Sequence, residues 1–373
     1  MIYLDNMATT PIDPRVLEVY TTALTTLLGN PSARYHSAGE RCYEEIEKVR
    51  KRIGASLGIR PSEIYFVPSA TVANNIALLG VASFYSGKKS HILLSAIEHA
   101  SVLECAPALR AMGYDVEIIP CNTKGIVEPD QVKRMLRPTT LLVSVMAVNN
   151  EIGTIQPVEE IAKEAKQNGS LFHCDASQAL GKTEVSALKD ADILTFSSHK
   201  AYGPLGVACL ALKSHVRLKP LTFGGKQERG VWAGTENYHG IVAFGKAFDL
   251  AVQEWRQDAE RILVLGKMLT ERIFDIFPGS WRNGDPERSV PHCLSITFQG
   301  IAGELLFQYL ARKGIIVSFG SACASLSGRK SHVLSAIGLG DEEQRRTLRI
   351  ALSRFTKEDE IAFVCEVLEA LRR

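Results

Sequence analysis

No apolar run in the chain approaches the roughly 20 residues that a membrane-crossing helix needs. The longest, such as Leu141 to Val148, are strand-sized and broken by Ser144. The opening Met1-Ile2-Tyr3-Leu4-Asp5 lacks a basic segment followed by an apolar stretch, so no secretory signal peptide is expected. Charge of one sign is not in excess either. There are 43 Lys and Arg against 41 Asp and Glu, a net charge of +2. That balance gives no electrostatic footprint for direct nucleic-acid or membrane-surface binding. Closely spaced cysteines are also missing. Of the 8 cysteines, the nearest pair in sequence is Cys105 and Cys121, so no Cys-x-x-Cys metal or redox pair exists. A reducing, cytoplasmic setting without a bound metal is the expectation. No internal repeat or low-complexity tract is present.

The 373 residues are too many for one small core and point to about two domains. From residue 60 onward, short apolar runs alternate with helical patterns. The runs at Glu63–Val67, His91–Ser95, Val116–Pro120, Leu141–Val148, Leu171–Asp175, Ile193–Ser197 and Val207–Leu212 read as strands. Thr71–Tyr85, Ser101–Met112 and Val158–Gln167 between them read as helices. This alternation predicts an α/β fold with a mostly parallel sheet, in which ligands sit at the carboxyl ends of strands. Ile241, Phe244, Phe248, Ala251 and Trp255 recur at helical spacing and predict a long helical connector. Strands at Leu294–Phe298, Ile315–Ser318 and Leu348–Leu352 then predict a smaller α+β domain. We place the large domain at residues 15–250, and the small one at 1–14 plus 251–373.

Lys200 follows the apolar strand Ile193–Ser197 and precedes the Gly203-Pro204 turn. A lysine just past a strand end is placed to bind a carbonyl cofactor covalently, although most lysines are solvated surface groups. Asp175 ends the strand Leu171–Asp175, where an aspartate can keep a pyridinium nitrogen protonated or simply cap a helix. Gln178 lies three residues on. Val67-Pro68-Ser69-Ala70-Thr71 is a strand-to-helix turn that can hold a phosphate, or serve as an ordinary N-cap. His99, four residues past the strand His91–Ser95, can stack on a ring or open a helix.

Together these motifs resemble the cysteine desulfurases, within the class V aminotransferase-like proteins. The resemblance runs almost the whole chain. It includes Tyr3-Leu4-Asp5-Asn6, Ala8-Thr9-Thr10-Pro11, Gly29-Asn30-Pro31-Ser32, Glu98-His99, Asn149-Asn150-Glu151-Ile152-Gly153-Thr154, His199-Lys200, Gln227-Glu228-Arg229-Gly230, Gly234-Thr235-Glu236-Asn237, Gly320-Ser321-Ala322-Cys323, Ser331-His332 and Arg349. Pro68 and Ser69 replace a frequent Ser-Gly, and Val72, Ala147, Lys226, Val231, Trp232 and Phe319 also depart from the usual pattern. The resemblance implies the pyridoxal-phosphate-dependent transferase fold (fold type I, aspartate aminotransferase-like). It implies that Lys200 carries pyridoxal 5'-phosphate and that Ala70, Thr71, Ser197 and His199 hold its phosphate. Asp175 would face the ring nitrogen, Asn150 and Gln178 the ring hydroxyl, and His99 the ring face. Arg349, with Asn150, would hold the substrate carboxylate. Thr235 would reach the phosphate of a neighbouring subunit, which implies a homodimer.

The stretch from Ser318 to Lys330 is rich in small residues and lacks apolar periodicity, so it reads as an exposed loop. Cys323 within it is the expected sulfur carrier, with Arg329 and Lys330 adding positive charge nearby. The implied reaction converts L-cysteine to L-alanine and leaves a persulfide on Cys323. An acceptor protein in iron–sulfur assembly or thiolation would then take the sulfur. Selenocysteine lysis or another class V reaction is the competing reading.

Overall fold

The computed structural model describes residues 1–319 and 330–372. Its centre is a seven-stranded sheet in the order β2-β8-β7-β6-β5-β3-β4. The strands are β2 (Ile64–Val67), β3 (His91–Ser95), β4 (Asp115–Ile119), β5 (Thr140–Ser144), β6 (Leu171–Asp175), β7 (Ile193–Ser197) and β8 (Ala208–Leu212). β3, β5, β7 and β8 are buried along their full length, and β6 is buried from Phe172 onward. That is why they read as continuous apolar runs rather than alternating ones. β4, β3, β5, β6 and β7 run parallel, while β8 is antiparallel to both of its neighbours, so β2 regains the common direction. The carboxyl ends of β2, β3, β5, β6 and β7 therefore open on one side of the sheet.

A second, three-stranded sheet joins β9 (Trp281–Arg282), β10 (Cys293–Thr297) and β12 (Thr347–Ala351) in the order β12-β10-β9, all antiparallel. β1 (Ile2–Tyr3) pairs in parallel with β11 (Ile315–Ile316), which ties the N-terminus to the late part of the chain. The helix Tyr238–Ile276 is 39 residues long and is capped by Asn237, whose side chain accepts from Gly240 N. At 1.5 Å per residue it spans about 58 Å. Its first half places Ile241, Phe244, Phe248 and Ala251 in the core under the large sheet. Its second half places Ile262, Leu265, Leu269, Ile273 and Ile276 in a separate core with β10 and β12.

Among the elements that differ from the sequence reading, three can be traced to a particular residue or neighbour. The strand expected over 141–148 loses regular pairing at Ser144, yet Val145 N and Ala147 N still donate to the His173 and Asp175 carbonyls. The chain thus follows β6 outward and delivers Asn150 to the open side. The helix expected over 101–112 splits into Ala100–Leu103 and Ala106–Ala111. Pro107 has no amide hydrogen and disfavours helical backbone before it. The helix expected over 71–85 starts at Ala70 and contains a π-turn at Ile76–Gly80. There the Gly80 carbonyl accepts from Lys219 N.

Candidate active site

A cavity of about 280 Å³ opens at the carboxyl ends of the large sheet. Most of the residues singled out in the sequence line it: Ala70, Thr71, His99, Asn150, Asp175, Gln178, Ser197, His199, Lys200 and Arg349. They come from segments up to 279 positions apart, brought together because parallel strands end side by side. Thr235 does not line it. That residue is exposed on the segment before the long helix. Cys323 and Arg329 lie outside the described residues. Lys330 is exposed and pairs with Asp341 at 2.6 Å.

Lys200 ends a short 3₁₀ turn that leaves β7. Its Nζ donates to the Met7 and Ala8 carbonyls at 2.8 and 2.6 Å. Behind it, the Lys182 ammonium donates to the Lys200 carbonyl at 3.0 Å. Burial, and then the charge of Lys200, push the Lys182 amine down to about 7. Asp175, at the tip of β6, accepts from Asn74 Nδ2 at 2.7 Å and from Ser177 N at 2.9 Å. Asn74 also donates to Ser101 Oγ, which bonds His99 Nδ1 at 2.8 Å. One polar chain thus holds both the acid and the imidazole. Burial lowers the His99 pKa, so its ring is neutral at neutral pH. His199 bonds Thr9 Oγ1 through Nδ1, and burial, with the charge of Lys200 next, brings it down to about 4.

Arg349 is 2% exposed, so it is no surface arginine. It sits on β12, donating to Asp5 Oδ1 at 2.7 Å in the N-terminal segment and to the Asn150 carbonyl at 2.8 Å beyond β5. Its backbone exchanges two hydrogen bonds with Ser318. At the other flank of the 320–329 segment, Ser331 Oγ donates to Glu151 at 2.5 Å, and the His332 ring bonds the Glu98 carbonyl at 2.8 Å. Both flanks of the segment holding Cys323 are therefore anchored beside the cavity.

The residues present suit pyridoxal phosphate. A carboxylate stands at one strand tip, a lysine at the next, and small hydroxyl side chains with a neutral imidazole stand at a third corner. Ser177 Oγ and Gln178 Oε1 are buried and lack a hydrogen-bond partner in the protein, although both residues line the cavity. Buried polar atoms of this kind call for a polar occupant.

Several contributing residues were not assigned a role from the sequence: Asp5, Met7, Ala8, Asn74, Ser101 and Glu98. Asp5 and Glu98 lay inside recognised motifs, but their partners are hundreds of residues away or reached through backbone. Glu98 is fully buried, accepts from Ser95 Oγ at 2.7 Å and Met146 N at 2.6 Å, and leaves Oε2 without a partner. Burial pushes its carboxyl up to about 8.

The aminotransferase class-V family profile matches residues 2–364. Cysteine desulfurase IscS of Pseudomonas putida is 40% identical over 380 residues, covering 100% of this chain and 93% of that one. Among solved structures, a "NifS-like protein" superposes with a TM-score of 0.93 at 34% identity, covering 99% of this chain and 98% of the other. A structure described as "SspA in complex with cysteine" gives a TM-score of 0.84 at 33% identity over 96% of this chain and 100% of that one. With its motifs, its fold and full-length relatives in agreement, the chain belongs to the cysteine desulfurases of the class V aminotransferase family.

Proposed function

We propose that this chain is a pyridoxal-phosphate-dependent cysteine desulfurase that converts L-cysteine to L-alanine and collects the sulfur as a persulfide on Cys323. The observation that carries this reading is the meeting of Lys200, Asp175, His99 and Arg349 around one cavity, with Ser318 on one side of the Cys323 segment and Ser331 and His332 on the other held by residues at or next to that cavity's lining. Its relatives bear the desulfurase name, and one is described in complex with cysteine.

Lys200 would carry the cofactor, with Ala70, Thr71, Ser197 and His199 at its phosphate, Asp175 at the ring nitrogen, Gln178 and Asn150 at the ring hydroxyl, and His99 over the ring. Pyridoxal phosphate, when bound, supplies an electron sink that makes the substrate α-proton removable. Arg349 orients the substrate through its carboxylate, a planar fork being suited to a two-point contact. The Lys200 amine takes the α-proton as general base and holds it at Nζ for return to the product. The Cys323 thiolate attacks the substrate sulfur, so an S–S bond forms as the Cβ–S bond breaks. The carbon side gains a proton and leaves as alanine, and Cys323 keeps the sulfur. A homodimer in which Thr235 serves the neighbour's phosphate completes the reading, as does transfer to an acceptor of the iron–sulfur or thiolation type. A reducing, cytoplasmic setting suits such a thiol. The 7 cysteines among the described residues are all free.

The test is Cys323→Ser. It should bind L-cysteine with a change in cofactor absorbance, yet yield almost no alanine and gain no sulfur, because a serine hydroxyl is a far poorer nucleophile than a thiolate. Wild type after one turnover should carry one added sulfur atom on Cys323 by peptide mass analysis. Near-normal alanine from the variant, or the added sulfur on another cysteine, would overturn the assignment. A variant that fails on cysteine but cleaves selenocysteine, together with a wild type that prefers selenocysteine, would favour the lyase reading instead.

A further inference from the structure

Arg50 and Glu228 form a buried ion pair that none of the chemistry above uses. They stand at the outer edge of β2, which pairs with β8 on one side only. Arg50 Nη1 donates to the Ile64 carbonyl at 2.6 Å, and Glu228 Oε2 accepts from Phe66 N at 2.9 Å. The two side chains also grip each other in a fork, at 2.8 and 2.7 Å. Between them they satisfy the carbonyl and the amide that an adjacent strand would take. Each is only 4% exposed, and the guanidinium lies 4.9 Å from the centre of the Phe66 ring.

Stability is a poor reason for such an arrangement, because well-packed apolar residues usually replace a buried ion pair without loss. The backbone adds a second, independent sign. Glu228 and Arg229 are consecutive non-glycine residues with φ of 45° and 55°, in the left-handed region that L-residues avoid. Arg229 is turned to the same strand edge, with Nη1 3.1 Å from the Ile64 carbonyl. Strain of this kind persists where the surroundings over-determine it, and it clusters at functional segments. What β2 leads into is the cavity. Three residues after Phe66 the chain reaches Ser69, Ala70 and Thr71, all of which line it, and Ser69 Oγ accepts from Val72 N at 3.3 Å.

We propose that Arg50 and Glu228 are a positioning pair for the phosphate end of the cavity. By standing in for an edge strand they hold β2 and so aim the 69–71 turn at a phosphate. The inference rests on the cofactor reading above, but it concerns the phosphate contact alone.

The experiment compares pyridoxal phosphate with pyridoxal, which lacks the phosphate, in absorbance titrations of cofactor-free full-length protein. Wild type should bind the phosphate form more tightly. Glu228→Gln keeps the shape but loses the charge of the fork. Its Kd for pyridoxal phosphate should rise about tenfold or more, the equivalent of losing one charge-assisted hydrogen bond. Its Kd for pyridoxal should stay within about twofold, since Lys200 and the ring site are untouched. If Glu228→Gln does not fold, Arg50→Lys makes the same comparison, because an ammonium cannot span both the Ile64 carbonyl and the carboxylate fork. Equal losses for both ligands would reduce the pair to a general structural role, and an unchanged phosphate Kd would also overturn the proposal. A wild type that does not distinguish the two ligands would instead overturn the phosphate assignment on which the proposal stands.

Discussion

Arg349 is held from two sides, by the Asp5 carboxylate and the Asn150 carbonyl, and its Nε has no partner. A substrate carboxylate entering the cavity meets a guanidinium whose direction is already set, which lowers the ordering cost of binding. Arg349→Ala should therefore lower kcat/KM for L-cysteine by about tenfold or more. Cofactor content, measured by absorbance, should stay near wild type. An unchanged kcat/KM would assign the carboxylate to another group. Glu98 offers a second test at this scale. Its carboxyl is raised to about 8 in the folded protein by burial, and by Asp175 next. Unfolded, it ionises near 4.5. The folded state therefore binds the extra proton between those values, and wild type loses stability as pH rises from 4.5 to 8. Glu98→Gln has no proton to lose, so its stability relative to wild type should climb over that window and level off above it. The gain is on the order of a few kcal/mol. Denaturant melts at pH 5, 7 and 9 measure this, and parallel curves would refute it.

The elements carry the site through close backbone approaches. Gly203 follows the Lys200 turn, and a Cβ there would lie 2.1 Å from Ser198 Oγ and 3.1 Å from both the Ser198 carbonyl and Ala247 Cβ on the long helix. The hydroxyl can rotate away, but the carbonyl and the helix cannot. Gly203→Ala should thus cost about 1–3 kcal/mol by overpacking. It should also loosen cofactor retention by shifting Lys200, read as a lower cofactor-to-protein ratio after dialysis. Full retention at an unchanged melting temperature would show that the turn has slack. Most of these elements were legible in the sequence, because buried parallel strands are unbroken apolar runs. Their ends were less so. The ladder past Ser144, the break at Pro107 and the π-turn at Ile76–Gly80 each depend on a neighbour from elsewhere in the chain or on a single residue within a helical pattern.

At the scale of the molecule, the long helix serves two cores, and Met7 and Leu4 in the N-terminal segment fall in one each. That segment also supplies Asp5 to Arg349 and the carbonyls that receive Lys200, so movement between the two cores would reach the cavity directly. The proposed homodimer makes a simple prediction: sedimentation at micromolar concentration should give twice the chain mass. A monomer at concentrations where the enzyme is active would remove the role given to Thr235.

Strand positions, the placement of Lys200 just past one strand end and of Asp175 at another, and the long connector follow from local pattern, because burial of a whole strand or one helix face is written in consecutive residues. Contacts between distant residues are not. Asp5 and Arg349 are 344 positions apart. Arg50 and Glu228 are 178 apart, and neither carries a local mark of being buried. A charged side chain looks the same in sequence whether it is solvated or locked at a sheet edge. The difference is made by the desolvation and hydrogen bonding that arise only when the fold closes around it.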